Sequence, residues 1–122
     1  GEEIDAFEAD ALLEEHGLGH LRLVDNGVVQ GVAGSGRAYH LIPRAASKAR
    51  AVARHMQARG YAPEDCIAVG DSREDADVAR VVGRFFLVAN AEEGIGGANI
   101  VRTEGRSGEG FYEAVIQTLA ER

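Results

Sequence analysis

The sequence predicts an α/β fold built on a doubly wound, Rossmann-like parallel sheet. Three observations carry that expectation. Ile67-Ala68-Val69 and Phe85-Phe86-Leu87-Val88 are short, continuous apolar runs, as strands covered on both faces require. Helical apolar spacing precedes and follows them, so the second part of the chain reads α-β-α-β-β-α. Gly60 and Gly83 stand where two of those helices have to stop.

Taken in order, residues 5–16 carry Phe7, Ala11 and Leu12 on one stripe, with Gly17 as a stop, and predict a helix. Leu21-Arg22-Leu23-Val24 alternates as a strand does. Asn26-Gly27 signals a tight hairpin turn, with Val28-Val29-Gln30 returning. Gly34-Ser35-Gly36 loosens the chain ahead of a further strand, Ala38 to Ile42, which Pro43 ends. Ser47 is placed as the N-cap of a helix running to Arg59, with Ala49, Val52, Ala53 and Met56 facing inward. After the 67–69 strand a helix is expected over Glu74 to Val82. Strands follow at 85–88 and 99–101. A last helix, Gly110 to Glu121, turns Phe111, Val115 and Leu119 inward. A boundary near Pro43 divides the chain into 1–42 and 43–122.

Composition bounds the function. The 122 residues hold 20 acidic and 13 basic side chains, a net charge of −7. So acidic a chain is a poor general binder of nucleic acid or of anionic membranes. Cys66 is the only cysteine, which excludes an internal disulfide framework and fits a reducing compartment. No apolar run approaches the ~18–20 residues of a membrane span. The start, Gly1-Glu2-Glu3-Ile4-Asp5, is acidic where a secretory leader is basic. A cytoplasmic protein without nucleic-acid or membrane partners is expected.

The stretch that carries chemistry is Gly70-Asp71-Ser72-Arg73-Glu74-Asp75. In open α/β sheets ligands sit beyond the carboxyl ends of the strands, where Asp71 would project. Asp75, one helical turn on, can face the same spot. Two carboxylates held that close need a cation or a proton between them, and oxygen-only ligands suit Mg²⁺. The plainer alternative is that Asp71 or Ser72 caps the helix while Glu74 and Asp75 complement its positive end. Upstream, Lys48 is the single lysine among thirteen basic residues. At a helix start it loses roughly 0.3–1 kcal/mol against the helix dipole, so it should have a compensating use. A point charge serving one phosphate oxygen is such a use, and chance in an arginine-rich background is the plain alternative. Lys48 is therefore expected within ~6 Å of an Asp71 carboxylate oxygen, near enough to favour both charged forms.

Pro43-x-x-x-Ser47-Lys48, a helix, Gly70-Asp71-Ser72-x-x-Asp75 and then Asn90-Ala91 after the next strand resemble the haloacid dehalogenase-like phosphatases. The closest likeness is to the branch with a large α/β cap: Cof-type sugar phosphatases, sucrose-phosphate phosphatase and mannosyl-3-phosphoglycerate phosphatase. The resemblance covers about Tyr39 to Leu119. It implies that residues 43–122 are the C-terminal half of the hydrolase core, and that 1–42 are the end of the cap. In such phosphatases an aspartate of an Asp-x-Asp motif attacks phosphorus, and an aspartyl-phosphate is then hydrolysed. By resemblance Lys48 and Asp71 are catalytic, Lys48, Ser47 and Asn90 bind substrate, and Asp71 and Asp75 ligate Mg²⁺. The implied activity is a Mg²⁺-dependent phosphomonoesterase acting on a small phosphorylated sugar or sugar acid.

These 122 residues contain no Asp-x-Asp after an apolar strand. Asp75-Ala76-Asp77 follows a polar segment, and Leu23-Val24-Asp25-Asn26-Gly27 lacks the second aspartate. The stretch alone is thus expected not to turn over. Its expected partners are a small phosphorylated metabolite, the N-terminal half of the core or a second chain, and further copies of itself. The family's usual Asn is Glu74 here, and the usual glycines at Ala45 and Ala49 are alanines. The competing reading is a non-catalytic α/β binding module.

Overall fold

The computed structural model describes residues 3–31 and 34–122; Gly1 and Glu2 of the acidic start lie outside the described residues. The chain forms two compact units, Gly1–Ser47 and Lys48–Arg122.

The first unit is one helix, α1 (Ala6–Glu15), and one long hairpin of β1 (Leu21–Gly31) and β2 (Gly34–Pro43). Asp5 caps α1 by accepting the N–H groups of Phe7 and Glu8. The hairpin differs from the sequence expectation. Strand pairing runs on past Asn26-Gly27, to Gly31 opposite Gly34, and Asn26-Gly27 forms a bulge between the pairs Asp25–Tyr39 and Val28–Arg37. The reason is local. Gly27 takes a φ of 80°, and the Asp25 carboxylate accepts its N–H at 2.7 Å, so the turn chemistry is used inside a strand. Ile4, Leu12, Leu13, Leu18, Leu23 and Leu41 line an apolar groove between helix and hairpin.

The second unit holds α2 (Lys48–Arg59), β3 (Ile67–Gly70), α3 (Arg73–Ala76), β4 (Arg84–Leu87), β5 (Ile100–Arg102) and α4 (Ser107–Ala120). The three strands form one parallel sheet in the order β3-β4-β5. This is the expected Rossmann-like α/β arrangement, with all carboxyl ends on one side. Phe85, Phe86 and Leu87 are fully buried, each contributing about 1.5–3 kcal/mol of burial. Ala49, Met56, Ala76 and Val78 join the core from the helical layer. Cys66 packs against this core, as a small apolar residue would.

Two elements depart from expectation. The predicted 74–82 helix is a single α turn that tightens into a 3₁₀ turn over Asp77–Arg80. The inner face of α4 is Gly110 and Ala114, while Phe111 and Leu119 are 58% and 59% exposed. Close approach selects the small residues. A side chain at Gly110 would strike Thr103 Oγ1 at 2.6 Å and Val88 Cγ1 at 2.8 Å.

Candidate active site at the carboxyl ends of the sheet

Lys48, Asp71 and Asp75 come from three different places in the chain. Lys48 is the first residue of α2, and Asp71 directly follows β3. Asp75 stands in α3, whose N-cap is Ser72; the Ser72 Oγ accepts the Asp75 N–H at 3.2 Å. The capping role open to Asp71 or Ser72 thus falls to Ser72, which leaves the Asp71 side chain exposed at the strand end.

Asp75 is the centre of the group. Its Oδ1 receives the Lys48 ammonium at 2.5 Å, and its Oδ2 receives the Asp71 N–H at 3.2 Å. Gly70 makes this possible. A side-chain carbon at position 70 would collide with Asp75 Cβ and lie 2.9 Å from Oδ2. Without it the carboxylate folds back over the end of β3.

The direct partner of Lys48 is therefore Asp75, and Asp71 acts on it only through space. Hydrogen bonding to Asp75 raises the Lys48 pKa, and the charges of Asp75, Glu74 and Asp71 add to it. Burial pushes the Asp75 carboxyl upward, but the Lys48 ammonium and the Asp71 N–H together hold it below its ordinary value. Both groups are charged at neutral pH.

A neighbouring loop braces Asp71. The Val88 N–H donates to the Gly70 carbonyl at 3.1 Å, and the Glu92 N–H donates to the Asp71 carbonyl at 3.1 Å. The Arg102 guanidinium binds the carbonyls of Val88, Ala89, Ala91 and Glu92 from the far side. Sequence reading missed Arg102, because nothing local to a strand-end arginine names four carbonyls ten or more residues away.

Asn90 lies in this same loop, with its side-chain amide turned to α4. Its Oδ1 accepts the Ser107 N–H at 2.7 Å, and its Nδ2 donates to the Ser107 Oγ at 3.2 Å. Ser107 holds a φ of 48°, the one non-glycine residue with positive φ among the described residues. Asn90 thus satisfies an amide at the start of α4 that the helix itself cannot. Ser47 is half-buried and immediately precedes α2. Asp77, the second member of the Asp75-Ala76-Asp77 imitation, pairs with Arg80 at 2.6 Å. Asp25 is engaged by Gly27 and Arg37 in the hairpin.

Among the described residues no group of three or more His, Cys, Asp or Glu is arranged to hold a metal. A Mg²⁺ site does not need three, since one or two carboxylates completed by water and substrate oxygens suffice. Asp71 and Asp75 offer oxygen donors alone, and Asp75 already holds a cationic group, so the donor set fits such an ion.

A family model described as haloacid dehalogenase-like hydrolase matches residues 20–114. The chain is 34% identical over 113 residues to a phosphoglycolate phosphatase of Methanoculleus marisnigri, covering 92% of this chain and 44% of the relative. It is 33% identical over 105 residues to one of Halobacterium salinarum, covering 86% and 41%. The chain thus spans less than half the length of these curated relatives. Among solved structures, the haloacid dehalogenase-like hydrolase protein yhjK of Bacillus subtilis superposes with a TM-score of 0.64 at 18% identity, over 97% of this chain and 43% of that one. A Thermoplasma acidophilum protein gives 0.61 at 21% identity, over 98% and 48%. These two likenesses concern the fold.

Proposed function

The chain belongs to the haloacid dehalogenase-like hydrolases, and from that premise we propose that it is the C-terminal part of a Mg²⁺-dependent phosphomonoester phosphatase. One observation carries the proposal: an ammonium, two aspartates and a strand end converge where open α/β sheets bind ligands. Phosphoryl transfer asks little of the protein beyond positioning and charge stabilisation, and these residue types supply both.

In this reading Lys48 holds a phosphoryl oxygen, and Asp71 and Asp75 hold the metal. A bound Mg²⁺ there supplies charge stabilisation to the transferring group. Ser47 and Asn90 border the phosphate, Asn90 by fixing the start of α4. Residues 1–42 are read as the end of a cap and residues 43–122 as the second half of the core. The nucleophile comes from an N-terminal half of the core, in the same polypeptide or in a second chain, and the protein works in the cytoplasm. The names of the relatives favour a small phosphorylated acid such as 2-phosphoglycolate over a sugar phosphate. Glu74 adds a negative charge beside the site, which suits a site that admits phosphate only together with a cation.

The test is phosphate release by the protein read from its gene with the frame upstream of residue 1 included. Turnover of 2-phosphoglycolate with Mg²⁺ is expected, with residues 1–122 alone releasing none. Lys48→Ala should lower kcat by about 10²–10³, the scale of one lost electrostatic contact to a transition state. No turnover of any small phosphomonoester would overturn the phosphatase and favour a binding module.

A further inference from the structure

The tightest contact in the site joins the residue proposed for phosphate to a residue proposed for metal. Asp75 Oδ2 accepts the Asp71 N–H over the bare Gly70, so Oδ1 is the oxygen turned toward a cation. Lys48 holds that oxygen. An ammonium in hydrogen-bond contact and a divalent cation at ~2.1 Å cannot share one carboxylate oxygen without strong repulsion between them.

Resting on the reading above, we propose that Lys48 is an exchangeable counter-ion: its ammonium occupies Asp75 while no divalent cation is bound there, and leaves Asp75 for the phosphoryl group when one is.

The mobile partner is Lys48. Its side chain is 55% exposed on a flexible four-carbon stem, whereas the Asp75 side chain is 21% exposed and held at Oδ2 by the Asp71 N–H. Leaving Asp75 does not strand the charge, since Asp71 and Glu74 also attract the ammonium. The arrangement sets an order of binding. A phosphate arriving first meets Asp71, Glu74 and Asp75 with the sole lysine already engaged. A phosphate arriving after the cation meets a released ammonium and a neutralised pair of aspartates.

Because the chain has a single lysine, its side chain can be followed alone. The experiment is a MgCl₂ titration of the isotope-labelled protein, observing the Asp75 carboxyl carbon and the Lys48 Nζ by NMR. Both signals should move with one midpoint. Lys48→Gln should tighten Mg²⁺ binding about two- to fivefold, the equivalent of releasing one exposed ion pair. Arg73→Gln removes the same charge from outside the pair and should leave the midpoint unchanged. Movement of Asp75 without Lys48 would overturn the exchange and leave the metal reading standing. Equal shifts in the two variants would also overturn it, as an effect of net charge alone. Stillness of both signals would overturn the exchange together with the metal site beneath it.

Discussion

At Gly70 a missing carbon atom decides where Asp75 goes. Gly70→Ala should expel the carboxylate from the end of β3, at about 1–3 kcal/mol of overpacking cost. Urea unfolding reads the stability, and loss of the paired Lys48 Nζ signal reads the displacement; an unchanged pair would show that Asp75 has another seat. Asp25 offers a second residue-scale check. The Gly27 N–H, and then Arg37, hold its carboxyl below the ordinary ~3.9. A lowered native value means that the interaction is present above ~3.9 and is lost as pH falls through the native midpoint. Arg37→Gln should raise the Asp25 midpoint only part of the way, because Gly27 remains; an NMR titration measures it. At this scale the sequence was informative where partners are close in the chain or stand out by type. The Gly70-Asp71…Asp75 spacing lies within one turn, and Lys48 is the only lysine. It was silent about the contact between Asn90 and Ser107, whose meeting across 17 residues depends on where a loop and a helix start are packed. It was misleading at Asn26-Gly27, since the same backbone conformations serve a tight turn and a bulge.

Among the elements, α4 shows what periodicity can and cannot say. A helix with apolar residues at 111, 112, 115, 116 and 119 offers two overlapping stripes, and the large residues make either look like the inner one. The sheet chose the stripe through Gly110 and Ala114, because Val88 and Thr103 leave no room there for a side chain. Volume, which periodicity ignores, settled the helix orientation. Gly110→Val should therefore cost at least as much as ordinary overpacking, about 1–3 kcal/mol. Phe111→Ser, on the 58% exposed side, should stay within about 0.5 kcal/mol in this chain. Chemical denaturation of the two variants checks the contrast, and the reverse ranking would restore Phe111 to the interior. The strands were easier to read. Ile67–Gly70 and Arg84–Leu87 lie within a residue of their expected places, because a continuous apolar run bounded by polar residues has only one way to be buried.

Over the whole molecule, burial is distributed very unevenly between the two units. Every buried residue among those described lies at or beyond Ala49, with Phe86 and Leu87 completely enclosed. In the first unit α1 and the hairpin leave Phe7 85% exposed and Leu12 and Leu41 more than half exposed. A helix and two strands with nothing fully enclosed lack the apolar burial that offsets chain entropy. Cross-strand hydrogen bonds alone contribute little net stability, since water satisfies the same groups in the unfolded chain. The sequence could not reveal this difference, because the apolar residues of residues 3–47 are as numerous as a small core would need. What they lack is an enclosed interior. Local opening should therefore cost far less in the hairpin than in the parallel sheet. Amide hydrogen exchange on the 122-residue chain measures this directly. The Phe85, Phe86 and Leu87 amides should be the slowest in the protein, and the Leu23, Val24 and Val29 amides should exchange at least tenfold faster, a gap of about 1.4 kcal/mol or more in opening free energy. Equal protection in the two sets would mean that the first unit is stabilised as strongly as the sheet, by something other than enclosed side chains.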